Sequence, residues 1–310
     1  MTIEAPRLSL RHFSPRHWPL WFGAALLWLT VQLLPFALLL GLGRVLGALL
    51  PLLAPSRVRV ARRNLELCFP EQSETERRHW LKRNFANTGI AVFETAIAWW
   101  WPAWRLKRIV RLEGLDHLAA AEAQSDGIIL LAFHFLTLEI GAAAFTLSHP
   151  GVGFYKPNKN PVMEWLQFHG RTRGQAQLIA KNDIREAVRC LKKGARLWYA
   201  PDQDYGRRSS TFVPFFAVQD CPTVTSTSSL AKLSRAAIVP FIQTRLPGCQ
   251  GYLLQLRPAL PGIPGPDADS DARAINQVLE QEVLRQPDQY MWLHRRFKTR
   301  PDKEAPSYYA

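Results

Sequence analysis

The sequence predicts an α/β protein, a sheet flanked by helices, preceded by an apolar N-terminal segment. Three observations predict this class. From residue 127 to residue 285, short apolar runs alternate with amphipathic stretches, the pattern of strands joined by helices. Residues 18–43 contain no charged side chain. The whole chain is nevertheless 47% hydrophobic with a mean hydropathy of −0.11, so the apolar segment precedes a body of soluble type.

The predicted strands of this body are short and mostly apolar. They cover residues 127–133, 152–154, 177–179, 195–200, 237–242 and 252–256. Helical spacing of apolar residues predicts helices at 73–100, 136–148, 159–169, 183–193, 223–235 and 270–285. The first helix opens with Ser73 and Glu76 at capping-box spacing. It ends in Trp99, Trp100 and Trp101, which either pack on the body or contact a membrane or an acyl chain.

The apolar segment is predicted to anchor the chain in a membrane. Residues 18–43 are long enough to cross a hydrocarbon layer about 30 Å thick, so a single span is favoured over a re-entrant or interfacial hairpin. Pro35 could break such a helix, and a second apolar stretch follows at 45–54. The predicted organisation is an anchor at residues 1–60 and a catalytic domain at residues 61–310. Five arginines follow the segment between residues 44 and 63, which places that domain in the cytosol.

Charge and cysteine content indicate which partners the chain can bind and which kinds of site it can contain. The chain has 39 Lys and Arg against 25 Asp and Glu, a net charge of +14, so it is expected to bind an anionic partner. Nucleic acid, anionic lipid and an acidic protein all qualify, and 11 tryptophans favour a membrane interface. The four cysteines are scattered with no CxxC pair, which predicts neither a disulfide framework nor a zinc site.

One candidate catalytic pair follows the first predicted strand. His134 comes directly after that strand and Glu139 lies in the next helix. Sites form at the carboxyl ends of strands in open α/β sheets. If the carboxylate reaches back to the imidazole, it fixes the tautomer and makes the other ring nitrogen a better base. From the spacing alone, a helix-capping histidine and a surface glutamate explain the same residues.

Other polar clusters allow two interpretations each. Asp202 and Asp204 follow a strand, and they either bind a metal or orient a basic group, or else stabilise a turn. Basic residues at 171, 173, 181 and 185 fall between predicted strands, and the stretch 294–300 mixes basic and aromatic residues. Each of these two sets either binds an anion or forms a solvated face. Hydroxyl side chains at 223–229 either bind an anion or cap a helix. The sequence contains no P-loop, no dinucleotide-binding glycine pattern and no GxSxG elbow.

Six sequence segments, taken in their order along the chain, indicate a protein family more specifically than any single residue does. The spacing HX4E after a strand resembles the signature of the glycerolipid acyltransferase superfamily. The wider set resembles the late acyltransferases of lipid A biosynthesis, and most of all the lauroyl type that acts on Kdo2-lipid IVA. The segments are NLELCFPE (64–71), HFLTLEIGA (134–142), YKPNKNP (155–161), WYAPDQDYG (198–206), VPFFAV (213–218) and YMWLHRRFKTRP (290–301).

The resemblance implies a function and a site. It implies a glycerolipid-acyltransferase-like mixed sheet and acyl transfer from acyl carrier protein to a hydroxyacyl chain of the lipid A precursor. It implies no cofactor and no metal, and an enzyme at the inner membrane, single-pass or monotopic, with its site facing the cytoplasm. By motif match His134 and Glu139 are the catalytic pair, and Arg171 and Asp202 are supporting or substrate-binding positions.

Competing functions remain distinguishable. A later myristoyl-type enzyme of the same pathway is one alternative, because chain length is set by the depth of the pocket. A lysophospholipid acyltransferase would share HX4E, but the long later segments argue against it. A membrane-bound nucleic-acid binder would account for the charge but not for the strand that leads to His134, so nucleic acid is not an expected partner. Once the thioester is bound, its chain needs an apolar slot. The residues expected to line that slot are Val92, Phe93, Ile97, Phe133, Leu136 and Phe145.

Overall fold

The computed structural model describes residues 3–309 and confirms the α/β class. Seven strands form one sheet and two more form a separate hairpin. The strands are β1 (Val110–Glu113), β2 (Ile128–Leu131), β3 (Val152–Tyr155), β4 (Gln177–Ala180), β5 (Arg196–Tyr199), β6 (Ser210–Phe215), β7 (Val218–Val224), β8 (Ala237–Arg245) and β9 (Tyr252–Leu256). The α-helices are α1 (Trp18–Leu33), α2 (Phe36–Leu53), α3 (Pro55–Cys68), α4 (Glu74–Trp100), α5 (Ala103–Lys107), α6 (Leu115–Glu122), α7 (Leu138–Thr146), α8 (Pro161–Arg171), α9 (Ile184–Leu191), α10 (Ser226–Ser234) and α11 (Ala268–Arg285).

The strand order places two loops side by side. Across the sheet the order is β1-β9-β8-β2-β5-β3-β4. Neighbours are parallel except β8 and β9, which are antiparallel, so the sheet is mixed as expected. Within the pair β2–β5, Leu131 lies opposite Tyr199. The chain segments that follow these two strands therefore leave the same edge of the sheet as neighbours.

The six predicted strands are all present, but three strands were not predicted. The short edge strand β1 alternates half-buried and exposed residues and lacks an apolar run. Strands β6 and β7 form an antiparallel hairpin in which Pro214 and Pro222 weaken the strand signal. Thr223 and Val224 close β7, so the predicted helix at 223–235 begins only at Ser226.

The apolar N-terminal run is not one helix. Its first helix, α1, ends at Leu33, and Pro35 precedes α2. Proline cannot donate the backbone hydrogen bond that would continue the first helix, so residues 18–43 are split between two helices. Among the residues that the structure describes, one helix is long and apolar enough to cross a membrane, by length and composition alone, and it is α2, Phe36–Leu53.

Glycines hold α2 against α4. A Cβ atom at Gly47 would lie 2.3 Å from the backbone oxygen of Phe85, and one at Gly89 would lie 2.1 Å from that of Gly43. No side chain fits into such a gap, so the two helix backbones are in direct contact. The apolar segment is thus packed on the body rather than joined to it by a linker.

Helices α3 and α4 carry this packing into the core of the body. Residues 60 and 61, at the predicted domain boundary, both lie inside α3 and are buried. Ala61 belongs to the main apolar cluster together with residues of β2 and α11. Helix α4 begins where predicted, and the Ser73 hydroxyl accepts a hydrogen bond from the backbone N–H of Glu76 at 3.1 Å.

Candidate active site

The site is built where β2 and β5 end. His134 lies three residues beyond the end of β2, and Asp202 lies three residues beyond the end of β5. Because Leu131 and Tyr199 are paired across these strands, the two side chains meet. The Nδ1 atom of His134 lies 2.7 Å from Oδ1 of Asp202, and the backbone N–H of His134 donates to Oδ2 at 2.9 Å.

Asp202 is held as a buried carboxylate. Its residue is 3% exposed, and the hydroxyl of Tyr290 donates to Oδ2 at 3.0 Å. Burial alone would raise the pKa of Asp202, but the charge and hydrogen bonds of His134, with Arg296 nearby, lower this pKa to about 2. Asp202 is therefore ionised at neutral pH and can only accept hydrogen bonds. In the neutral imidazole, Nδ1 of His134 therefore donates to Asp202, and Nε2 is the nitrogen left free to accept a proton.

A segment near the C-terminus supports this pair, and the sequence analysis missed its role. Residue Phe135 pairs with Tyr290 as an isolated β-bridge, and the backbone N–H of Met291 donates to the carbonyl of His134 at 3.0 Å. From α4, the Asn84 amide donates to the carbonyl of Tyr290 at 2.7 Å. The motif at 290–301 carried the signal, but its basic and aromatic composition suggested a surface. Arg296 is instead 3% exposed and donates to the backbone carbonyl of Asp202.

Glu139 has different partners from those expected. It lies in the first turn of α7 and forms an ion pair with Arg171, whose Nε is 3.3 Å from Oε2. The Trp99 indole N–H donates to the same oxygen at 3.2 Å. Among the described residues no hydrogen bond joins Glu139 to His134, so the expected contact with the imidazole is wrong. Asp202 occupies Nδ1, and the guanidinium of Arg171 holds the Glu139 carboxylate.

His134, Glu139 and Arg171 nevertheless share one cavity. Its volume is about 240 Å³, and Trp99, Trp198 and Tyr205 also line it. Most of the remaining wall consists of small or apolar residues, namely Ala132, Leu138, Ala142, Ala143, Gly151, Gly153, Phe154, Gly170, Ala176 and Leu178. Such a lining fits an extended aliphatic chain with a polar reacting end at His134.

The walls of the cavity are not the residues expected for the acyl slot. Phe133, Phe145 and Ile97 are buried in the apolar clusters, and the lining also lacks Val92, Phe93 and Leu136. Large apolar residues were expected to line the slot, whereas a channel that stays open needs small residues in its wall. Gly170 illustrates this, because a Cβ atom there would lie 2.3 Å from the indole of Trp99.

The other polar clusters are mostly structural. Asp204 accepts hydrogen bonds from the backbone and hydroxyl of Thr299 at 2.7 and 2.8 Å, so it fixes a loop. Arg173 donates to backbone carbonyls of α4 and of Trp101. The Ser226 hydroxyl contacts that of Tyr199. Within residues 3–309, no group of three or more His, Cys, Asp and Glu side chains could hold a metal ion.

Fold and site together define a class of protein. A histidine with a buried, ionised partner beside an apolar cavity is suited to proton abstraction next to an aliphatic chain. The exposed apolar helices α1 and α2 add a surface suited to lipid. The arrangement is that of an enzyme acting on lipid acyl groups.

Comparison with known proteins identifies the family. The model of the family described as bacterial lipid A biosynthesis acyltransferase matches residues 6–299. The chain is 45% identical to the lipid A biosynthesis lauroyltransferase of Escherichia coli K12, covering 98% of this chain and 99% of that protein. It is 42% identical to the lipid A biosynthesis palmitoleoyltransferase of the same organism, covering 97% and 98%.

A solved structure, the 1-acyl-sn-glycerophosphate acyltransferase of Thermotoga maritima, aligns with 78% of this chain and 97% of its own at 14% identity and a TM-score of 0.38. The family match and the two relatives settle the assignment: the chain belongs to the bacterial lipid A biosynthesis acyltransferases and is a late O-acyltransferase of that pathway.

Proposed function

We propose that the enzyme transfers a lauroyl chain from acyl carrier protein to the hydroxyl of a 3-hydroxyacyl chain on Kdo2-lipid IVA, with His134 as general base. The observation that carries this proposal is the contact between His134 and the ionised carboxylate of Asp202 at 2.7 Å on the wall of an apolar cavity. It supplies a base of defined tautomer next to a place for the acyl chain.

The reaction follows from that geometry. Nε2 of His134 takes the proton of the acceptor hydroxyl as its oxygen attacks the thioester carbonyl. The carbon–oxygen bond forms, the carbonyl oxygen becomes an oxyanion, and the imidazolium is stabilised by Asp202. The carbon–sulfur bond then breaks, the carbonyl re-forms, and the imidazolium returns its proton to the departing thiolate. The products are the ester and the free thiol of the carrier.

Arg171 is proposed to stabilise the charge that develops on the thioester oxygen. It lines the same cavity as His134, and positive groups aimed at a developing oxyanion lower the barrier most in sites shielded from water. Glu139 then acts as a positioning residue, since its ion pair holds the guanidinium in place. This role differs from the direct support of His134 that its position in HX4E suggested.

The lauroyl donor is proposed from the resemblance of the motifs and from the 45% identity to a lauroyltransferase. The palmitoleoyltransferase is almost as similar at 42%, so the longer unsaturated chain is the principal competitor. Burying the methylenes of a lauroyl chain is worth about 0.8 kcal/mol each. The depth of the cavity therefore sets which donor binds best.

Carrier and acceptor are both anionic, and the chain has a net charge of +14. The loops after β3 and β4 carry Lys156, Lys159 and Lys181 at the same sheet edge as the site. The ammonium of Lys181 lies 4.4 Å from the ring centre of Tyr205, which lines the cavity. Such a rim attracts acidic protein and phosphorylated lipid. We place the enzyme at the inner membrane with this edge facing the cytoplasm, where the carrier protein resides.

The test is a competition in one tube. Purified enzyme is given lipid IVA carrying Kdo together with equal amounts of lauroyl, myristoyl and palmitoleoyl carrier thioesters, and the products are measured by mass spectrometry. We expect a single addition of lauroyl. Preferential use of myristoyl or palmitoleoyl would reject the donor, and transfer to lysophosphatidic acid instead of the Kdo-bearing lipid would reject the acceptor.

A further inference from the structure

Helices α1 and α2 each expose an apolar stripe. Along each helix a series of exposed large apolar residues recurs every three or four positions. They are Trp18, Phe22, Leu26, Leu29 and Leu33 on α1 and Leu38, Leu42, Val45, Leu49 and Leu52 on α2. A helix of a soluble protein carries polar residues on its outward face. The two stripes, together called the apolar face, therefore require an apolar partner.

Both ends of the segment that forms the apolar face are attached to the catalytic body. Before α1, the backbone N–H of Ile3 donates to the carbonyl of Leu178 on strand β4 at 2.8 Å, and Ile3 packs on the apolar cluster there. After α2, helix α3 enters the main core through Ala61 and Leu65. The chain is thus attached to the body both before α1 and after α2.

The turn between α1 and α2 is attached to the same body. The Arg105 guanidinium donates to the carbonyls of Gln32 at 3.1 Å and Leu34 at 3.2 Å. The Trp101 indole N–H donates to the carbonyl of Val31 at 2.7 Å. If α2 crossed a bilayer, alone or in a hairpin with α1, this turn would lie on the far side from Arg105, and all these bonds would be broken. If α1 alone crossed, Ile3 would lie on the far side from Leu178, and the bond between them would be broken instead.

The placement of α2 gives a second, independent argument. Its middle is in backbone contact with α4 at Gly47, and at its start the Phe36 ring lies 6.3 Å from that of Trp101. Helix α4 carries Glu94, which forms a buried ion pair with Arg245 of the sheet. A spanning α2 would draw this part of the sheet into hydrocarbon. It would also place the exposed Arg44 near the bilayer centre, where a charge is costly, whereas on an interfacial helix it reaches the headgroups.

We propose that α1 and α2 are a monotopic membrane-binding face, seated in one leaflet rich in anionic lipid, and that the chain crosses no bilayer. Arg7, Arg11 and Arg16 precede α1 and are exposed, so they can contact anionic headgroups while the apolar face enters the acyl region. The arrangement also brings the cavity to the membrane. Trp99 lines the cavity, and the carbonyl of the adjacent Trp100 accepts a hydrogen bond from Gln32 of α1.

From this position the acceptor lipid reaches His134 sideways from the leaflet. That last step rests on the proposed function, whereas the monotopic arrangement does not.

Topology is tested by labelling cysteines in intact cells. Cys190 and Cys249, which are partly exposed, are first replaced by serine. Ala37→Cys, next to the turn, is compared with Lys303→Cys on the exposed part of the body. With a membrane-impermeant maleimide, we expect no labelling of either from outside spheroplasts and full labelling of both after detergent is added. Labelling of Ala37→Cys from outside, as a span of α2 or a spanning hairpin requires, would overturn the proposal.

The membrane partner is tested with purified full-length protein and vesicles of phosphatidylglycerol and phosphatidylethanolamine. Leu26→Ser on α1 and Leu49→Ser on α2 should each lower the partition coefficient about tenfold, because each removes an aliphatic side chain from the leaflet. Leu284→Ser is the matched control, since Leu284 on α11 is 60% exposed against 55% and 48% for the other two. Equal loss in all three variants, or none in any, would remove the apolar face as the membrane contact. Neither result depends on the identity of donor or acceptor.

Discussion

Replacing Asp202 by asparagine tests how the site prepares its base. One carboxylate oxygen faces Nδ1 of His134 at 2.7 Å, and the other accepts from the His134 backbone N–H at 2.9 Å and from Tyr290 at 3.0 Å. An amide has only one accepting oxygen. If its nitrogen faces Nδ1, the proton moves to Nε2 and the base is lost. If its nitrogen faces the other way, the backbone N–H of His134 and the hydroxyl of Tyr290 are left without an acceptor.

We expect the asparagine variant to lose about 10³- to 10⁴-fold in kcat, the cost of holding a catalytic histidine in the wrong tautomer, which corresponds to about 4–5.5 kcal/mol of barrier. The assay is turnover of a carrier thioester at saturating donor, with the melting temperature measured alongside. Asp204→Asn is the matched control, because Asp204 is two residues away but serves Thr299. A kcat within tenfold of wild type for Asp202→Asn would refute the reasoning.

Three further outcomes follow from particular contacts. Gly47→Leu should lower the free energy of unfolding by more than about 3 kcal/mol in a denaturant titration. Overpacking costs up to about 3 kcal/mol where the surrounding structure can adjust, whereas here a Cβ atom would lie 2.3 Å from the backbone of Phe85. Trp99→Phe should lower kcat about tenfold by removing its bond to Glu139, the scale of a bond to a charged group, with the melting temperature unchanged. Since the Asp202 pKa is about 2 against an ordinary 3.8, its stabilisation is present above about pH 4 and is lost as the pH falls through about 2. The stability difference between wild type and Asp202→Asn should shrink by about 2 kcal/mol over that window, and a difference independent of pH would contradict the assigned contacts.

Local signals in the sequence were sufficient for most of the fold. Strand β2 is a run of buried aliphatic residues, and α4 carries its own capping signal at Ser73, so each is specified by neighbours in the chain. Strand β1 has too few apolar residues to be recognised, and the prolines of the β6–β7 hairpin argue against strands. The break at Pro35 was visible as a possibility, but only packing on α4 decides where each helix lies.

The site shows where sequence reasoning ends. His134 and Glu139 were found because they are five residues apart in a recognisable string, yet their partners come from elsewhere in the chain. Asp202 meets His134 only because β5 lies beside β2, and strand order is a long-range property that no local pattern encodes. In the same way Tyr290 reaches Asp202 only through the return of the C-terminal segment along residues 134–136.

The most direct test of the central claim, that His134 is the base of an acyl transfer, is a single-turnover measurement on purified His134→Ala with a lauroyl carrier thioester and Kdo-bearing lipid IVA. Product is quantified by mass spectrometry, and circular dichroism and vesicle binding confirm that the variant is folded and on the membrane. We expect a loss of at least about 10³-fold, within the range for losing a general base. Transfer at a rate near that of wild type by the folded, membrane-bound variant would contradict it.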